Sequence, residues 1–84
     1  MYYVYVLKSE KDGELYMGST NDLRKRLKAH NSGKVRSTKG RIPFQLIYYE
    51  AYKNETDARN RESQLKLKSR AYYQLKKRIE VSLR

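Results

Sequence analysis

The stretch "YYVYVLKSEKDGELYMGST" (residues 2–20) decides the fold. Residues 2–8 alternate and are rich in Tyr and Val, which reads as a β-strand. Tyr3, Tyr5 and Leu7 fall on one face; Tyr2, Val4 and Val6 fall on the other. Glu10-Lys11-Asp12-Gly13 is a turn signal, with Asp-Gly its strongest dipeptide. Leu15 to Gly18 then reads as the return strand of a hairpin. This hairpin carries four of the chain's nine tyrosines, which read either as core filling or as a source of chemistry.

Outward from the hairpin, Ser19-Thr20-Asn21-Asp22 supplies helix N-caps. A helix is expected from there to about Asn31, with Gly33 ending it. Residues 32–43 hold two glycines, the only proline, and Lys34, Arg36, Lys39 and Arg41, a basic loop. Phe44 to Tyr52 is apolar and aromatic enough for a third strand. Asn54 caps a second helix reaching about Lys68, and Ser69 caps a third from Arg70 to about Val81. The order is ββαβαα. The expected fold is α+β, a small three-stranded antiparallel sheet flanked by helices, in a single domain over residues 1–84.

Twenty Lys+Arg face nine Asp+Glu, a formal charge of +11. A basic surface on so small a domain favours a polyanion, most often nucleic acid. With no cysteine and one histidine, thiol nucleophiles, thiolate zinc sites and His-rich metal clusters are excluded. No apolar run approaches the ~20 residues of a membrane span, and no signal-peptide core is present, so the default location is the cytoplasm. No helix joins a basic face to a large aromatic one, which argues against a membrane surface. Nothing requires a protein partner, although a domain this small gains specificity from one.

Polar residues on apolar faces narrow the function. In the first helix Leu23 and Leu27 mark the buried stripe, and Arg26 and His30 project within the same arc. Arg24, Lys25 and Lys28 point elsewhere. Arg26 reads either as a snorkelling side chain or as a functional cation, and His30 as a hydrogen-bonded boundary histidine or a catalytic one. In the second helix Glu62 lies on the stripe of Ala58 and Leu65. A carboxylate there is costly unless paired, with Arg61 or a lysine, or bound to a cation.

Phosphodiester hydrolysis needs a base for water, stabilisation of charge on phosphorus, a polarising metal and a grip on a polyanion. Arg26 offers a guanidinium fork. Glu62 can ligate one hard cation such as Mg²⁺, with phosphate and water filling its other positions. With one well-placed carboxylate, a two-metal mechanism is not expected. Tyr5 or Tyr16 can act as general base if nearby positive charge lowers a pKa that starts at ~10.

The spacing of Tyr3-Val4-Tyr5 and Tyr16-Met17-Gly18 resembles the paired signature of the GIY-YIG nuclease superfamily. "GSTNDLRKRLKAHNSG" is similar to that family's first helix, with Arg26 at its essential arginine and His30 at a position filled by His or Tyr. "DARNRESQLK" resembles the helix that bears the metal-binding glutamate, which falls on Glu62. The match covers essentially the whole chain. It looks most like the small stand-alone bacterial members, related to the nuclease domain of the UvrC repair subunit. The resemblance implies a metal-dependent endonuclease acting on DNA, structure-selective in repair or recombination. Tyr5 would be the general base, Tyr16 an assistant at the water or metal shell, and Arg26 the phosphate ligand. His30 would help proton transfer or hold a tyrosine, and Glu62 would hold Mg²⁺ (or Mn²⁺). The basic loop, Lys34, Arg36, Lys39 and Arg41, would contact nucleic acid. Two departures stand out. Tyr3 replaces the first glycine of the signature and shares a face with Tyr5, so it is expected to narrow the site. Met17 is an apolar substitution on the face opposite Tyr16. The competing readings are a nucleic-acid-binding module with weak or lost catalysis, and a ribosome-associated basic protein. The latter explains the charge but not Glu62. RNA stays open as a substrate.

Overall fold

In the computed structural model, which describes residues 1–84, the alternating stretch forms the central strand of one antiparallel sheet. β1 (Tyr2–Ser9) lies between β2 (Leu15–Thr20) and β3 (Phe44–Tyr52), giving the order β2-β1-β3. Three helices complete the chain: α1 (Leu23–Asn31), α2 (Glu55–Lys66) and α3 (Arg70–Arg78). The expected order ββαβαα and the α+β class are observed. A short 3₁₀ turn, Lys39–Arg41, interrupts the basic loop.

A central strand is covered on both faces, and β1 is: Val4, Tyr5, Val6 and Leu7 are all buried. The period of two sorts them into separate cores. Val4 and Val6 join Met17, Ala58, Leu65, Tyr72, Leu75 and Ile79 under α2 and α3. Tyr5 and Leu7 join Phe44, with Leu23, Leu27 and Leu46 packed against them, under α1. The sheet therefore separates α1 from α2 and α3. Met17 is core on the face opposite Tyr16, as its position in β2 requires.

The caps locate the helices. Asp22 accepts from the Lys25 N–H at 3.0 Å and opens α1. Asn54 accepts from the Thr56 N–H at 2.8 Å and opens α2, where Glu55 and Asp57 complement the helix dipole. Gly33 sits at φ +76° just past α1, a conformation glycine adopts without strain. The later helices end earlier than their periodicity suggests. α2 stops at Lys66, and Lys68 takes φ +52° in the connection. The Ser69 hydroxyl donates to the Gln64 carbonyl (2.8 Å) instead of capping α3. α3 stops at Arg78, and Ile79 stays buried as its C-cap.

One polar network fixes α2 on the sheet. The Arg61 guanidinium donates to both Glu50 oxygens, Nε to Oε1 at 3.0 Å and Nη2 to Oε2 at 2.9 Å. The Tyr48 and Tyr52 hydroxyls also donate to Glu50, at 2.7 and 2.5 Å. Burial by itself raises the Glu50 carboxyl, but Arg61 and the two phenols outweigh it and hold the carboxyl below its ordinary value. Burial, and after it the same carboxylate, pushes Tyr52 up to about 12. Arg61 thus pairs with β3 and not with its neighbour Glu62. Truncating Glu50→Ala strands a half-buried guanidinium and two phenols. It should destabilise the domain by about 2 kcal/mol in urea unfolding, more than the exposed Glu55→Ala, which removes only a surface i,i+4 pair.

Candidate active site

The Tyr5 phenol lies under α1, leaning across β2. Its strand partner is Gly18. A Cβ added at Gly18 would fall 2.5 Å from Tyr5 Cζ and closer still to its hydroxyl, so only glycine lets the ring pass. The glycine is thus set by the tyrosine opposite it.

A buried hydroxyl needs partners, and Tyr5 is 1 % exposed. Its oxygen lies 2.9 Å from His30 Nε2. His30, on the last turn of α1, is itself fully buried, and its Nδ1 lies 2.9 Å from the Thr38 hydroxyl. The Arg26 guanidinium, one turn earlier, faces the hydroxyls of Tyr5 and then Tyr16, which hold its proton more firmly. The Thr38 hydroxyl donates to the Val35 carbonyl at 3.4 Å, so it accepts from His30 Nδ1–H, and Nε2 is left to accept the Tyr5 hydroxyl proton. Burial raises the Tyr5 phenol, with Arg26 pulling against it. Burial, and after it Arg26, lowers His30 to about 4. His30 is therefore a neutral imidazole at neutral pH, able to accept the Tyr5 hydrogen bond at Nε2. The Tyr16 ring stacks edge-on against His30 (5.1 Å), completing an aromatic wall with Phe44.

Glu62 comes from the other side of the sheet. Ser19, on the face of β2 opposite Tyr16, donates to Glu62 Oε1 at 2.5 Å. Lys66, one turn on in α2, pairs with Glu62 Oε2 at 2.8 Å and places its ammonium 5.7 Å from the centre of the Tyr16 ring. Burial raises Glu62, but Lys66 and Ser19 outweigh it and keep the carboxyl ionised. The two half-sites meet around β2 because β2 is an edge strand. Beside them opens a cleft of about 290 Å³ lined by Ser19, Thr20, Asn21, Arg26, Glu55 and Arg59, which takes Arg26 from one half-site and Ser19 from the other.

A divalent ion fits this donor set in one mode. No group of three His, Cys, Asp or Glu side chains gathers anywhere, so an all-protein cage is excluded. One ionised carboxylate beside an open basic cleft suits a hard cation that keeps its waters and takes phosphate oxygens.

The five residues singled out in the sequence, Tyr5, Tyr16, Arg26, His30 and Glu62, are brought to the two sides of one strand. Tyr3 is not where its face suggested it would interfere. Its ring packs edge-on against Tyr49 at 5.9 Å, toward β3, whereas Tyr5 leans toward β2. Tyr3 lines a separate cavity with Arg24, Leu27, Leu46 and Tyr49. In the basic loop Lys34, Arg36 and Lys39 are exposed, while buried Val35 and Thr38 tie the loop to His30. Arg41 differs: it bonds Asp12 at 2.8 Å, holding that carboxyl down to about 2. Ser19, Thr38, Arg59 and Lys66 escaped the sequence reading. Lys66 and Arg59 carried local signals, their i,i+4 spacings from Glu62 and Glu55.

A three-layer domain with this Tyr-Arg-His cluster and a single carboxylate across an edge strand has the form of a nuclease domain. Residues 1–78 match the GIY-YIG catalytic domain, and the chain belongs to that family. It is 49% identical over 67 residues to a UPF0213 protein of Clostridium perfringens, covering 79% of this chain and 71% of the relative. It is 44% identical over 69 residues to a UPF0213 protein of Streptococcus pneumoniae serotype 4, covering 81% and 69%. The solution NMR structure of a UPF0213 protein from Bacillus halodurans is similar across 100% of this chain and 86% of that one, at 40% identity and TM-score 0.54. The family is one of nucleases that act on nucleic acid and generally use a divalent metal. No helix here is long and apolar enough to cross a membrane.

The geometry makes two checks direct. Gly18→Ala should force the Tyr5 ring from His30, lowering stability by about 1–3 kcal/mol in chemical unfolding. NMR should show the Tyr5 and His30 ring signals moving while Tyr3 and Tyr49 stay in place. His30 titrates at about 4 folded and near 6.5 unfolded, so the unfolded state binds more protons between these values. Its stabilising effect is full above pH 6.5 and is lost as pH falls toward 4, a change of up to about 3 kcal/mol. Thermal melting from pH 7.5 to 4.5 should show this loss, and His30→Gln should flatten it.

Proposed function

We propose that the domain is a metal-dependent endonuclease that cleaves DNA phosphodiester bonds with Tyr5 as general base. The observation that supports this best is the buried chain Tyr5–His30–Thr38, with Arg26 facing it and an ionised Glu62 across β2, in a domain of charge +11. Glu62 holds one Mg²⁺ or Mn²⁺, which when bound supplies Lewis-acid polarisation of the phosphate. Arg26 binds a non-bridging oxygen of the scissile phosphate and carries charge as it grows there. The Tyr5 oxygen removes a proton from the attacking water while passing its own to His30 Nε2. Arg26 favours the phenolate form of Tyr5 in that step. The water oxygen forms its bond to phosphorus as the bond to the leaving oxygen breaks. Tyr16 orients the water through its place beside Arg26 and His30. Lys34, Arg36 and Lys39 track flanking phosphates, and Arg41 serves the loop by pinning its end to Asp12. The preferred substrates are branched or damaged DNA met in repair or recombination.

The test is cleavage of nicked, forked, single-stranded and linear DNA with Mg²⁺, Mn²⁺ or chelator. Chelator, Glu62→Ala and Arg26→Ala should abolish cutting, and Tyr5→Phe should slow it by about 10²–10⁴-fold. Substrates left intact under every metal condition, with binding retained, would make the domain a binding module. Cutting that survives Glu62→Ala unchanged would sink the metal assignment.

A further inference from the structure

The cation that Glu62 meets in this structure belongs to the protein. Lys66 Nζ is 2.8 Å from Glu62 Oε2, and Ser19 occupies Oε1, so both carboxylate oxygens are engaged. The ammonium is held at a second point by the face of Tyr16, 5.7 Å from its centre. This is more definite than a surface i,i+4 pair, because Glu62 is only 20% exposed on its side chain and Tyr16 belongs to the opposite half-site. Hence Lys66 stands between the carboxylate and the Tyr16 ring, in a hollow it shares with Leu15, Tyr16 and Met17.

We propose that Lys66 is a resident counter-ion that competes with the divalent metal for the Glu62 carboxylate. The inference rests on the reading of Glu62 as the metal-holding carboxylate. An ammonium 2.8 Å from Oε2 takes a position that a metal–oxygen bond of about 2.1 Å must clear. A metal that used the remaining lone pairs of Glu62 would meet the like charge of the Lys66 ammonium. Arg59, whose charge also reaches Glu62, adds to that repulsion. Metal entry therefore requires Lys66 to leave, and its flexible stem permits this because the side chain is 48% exposed. In this role Lys66 keeps Glu62 ionised and compensated while no metal is bound, and lowers metal affinity in doing so. A purely positioning lysine would do the reverse: by orienting Glu62 it would strengthen metal binding.

The sign of one measurement separates these. Mn²⁺ binding to the whole chain, without nucleic acid, is read by calorimetry and by the loss of free-ion EPR signal. Lys66→Met keeps the stem over Tyr16 without charge, and Lys66→Gln is a second neutral variant. Both should bind Mn²⁺ about two- to fivefold more tightly than the parent, in line with loss of one solvent-accessible ion pair. Lys66→Arg, which restores the charge, should stay within about twofold of it. Glu62→Gln should lose the site. Unchanged or weaker binding by both neutral variants, with Glu62→Gln still inactive in binding, overturns the competition alone. Full Mn²⁺ affinity in Glu62→Gln overturns the metal reading of Glu62, and the competition with it.

Discussion

The structure depends on a tyrosine hydroxyl buried in the middle of a sheet. Tyr5 sits on the central strand, where its ring must go under α1 and where its oxygen cannot reach water. Leaving that oxygen unpaired would cost about 1–3 kcal/mol, a sizeable part of what a domain of 84 residues has. The partners that prevent this explain much else. His30 must be at the end of α1, so α1 runs along this face. Thr38 must reach the far side of His30, so the basic loop is drawn in at Val35 and Thr38 instead of floating free. Gly18 must lack a side chain, so the ring can cross β2. The groups that keep the phenol satisfied are the groups a general base needs.

A sheet is also a barrier. Alternation puts Tyr5 and Tyr16 on one face and sends Ser19, with Glu62 behind it, to the other. Side chains on opposite faces of a central strand cannot share a substrate. On an edge strand they can, because the chain ends there and a substrate can touch both sides. β2 is six residues long and is that edge. The Glu50–Arg61 clamp makes the arrangement rigid from the opposite edge: it anchors α2 to β3, and so sets how far Glu62 extends toward β2. One residue earlier in α2 does the holding, and the next residue faces the site.

What was legible in the sequence followed from short-range periodicity. The hairpin, the three strands, the helix caps at Asp22 and Asn54 and the core stripes are all local signals, and they appear where alternation and capping place them. The site residues were legible because Arg26, His30 and Glu62 sit on apolar stripes where a charged or titratable side chain needs a reason. Relations between distant segments were not legible. Nothing in the sequence near Glu62 points to Ser19, 43 residues away, or near His30 to the hydroxyl of Thr38. The partner of Arg61 was open between a neighbour and a distant residue; the sheet decided for Glu50, because β3 brings a carboxylate ringed by two phenols under α2. Tyr3 shows the limit of a face assignment. Its face was read correctly, but a strand face has two lateral directions, and only tertiary packing turned the ring toward Tyr49.

The ion pairs explain why so basic a domain keeps a carboxylate at its site. Three of the four pairs are architectural: Asp12–Arg41 joins hairpin and loop, Glu55–Arg59 lies on the first turn of α2, and Glu50–Arg61 docks that helix. The fourth, Glu62–Lys66, lies beside Tyr16, with Ser19 bonded to the same carboxylate. A phosphodiester is anionic, and a bare carboxylate would repel it from the place where Arg26 and Tyr5 converge. Any cation on Glu62 reverses that sign. A lysine does so permanently but cannot polarise phosphate as a divalent ion does. The local field is therefore attractive to a polyanion with Lys66 alone on Glu62, and under the proposed mechanism a divalent ion would replace one cation with another at a carboxylate whose charge is already compensated.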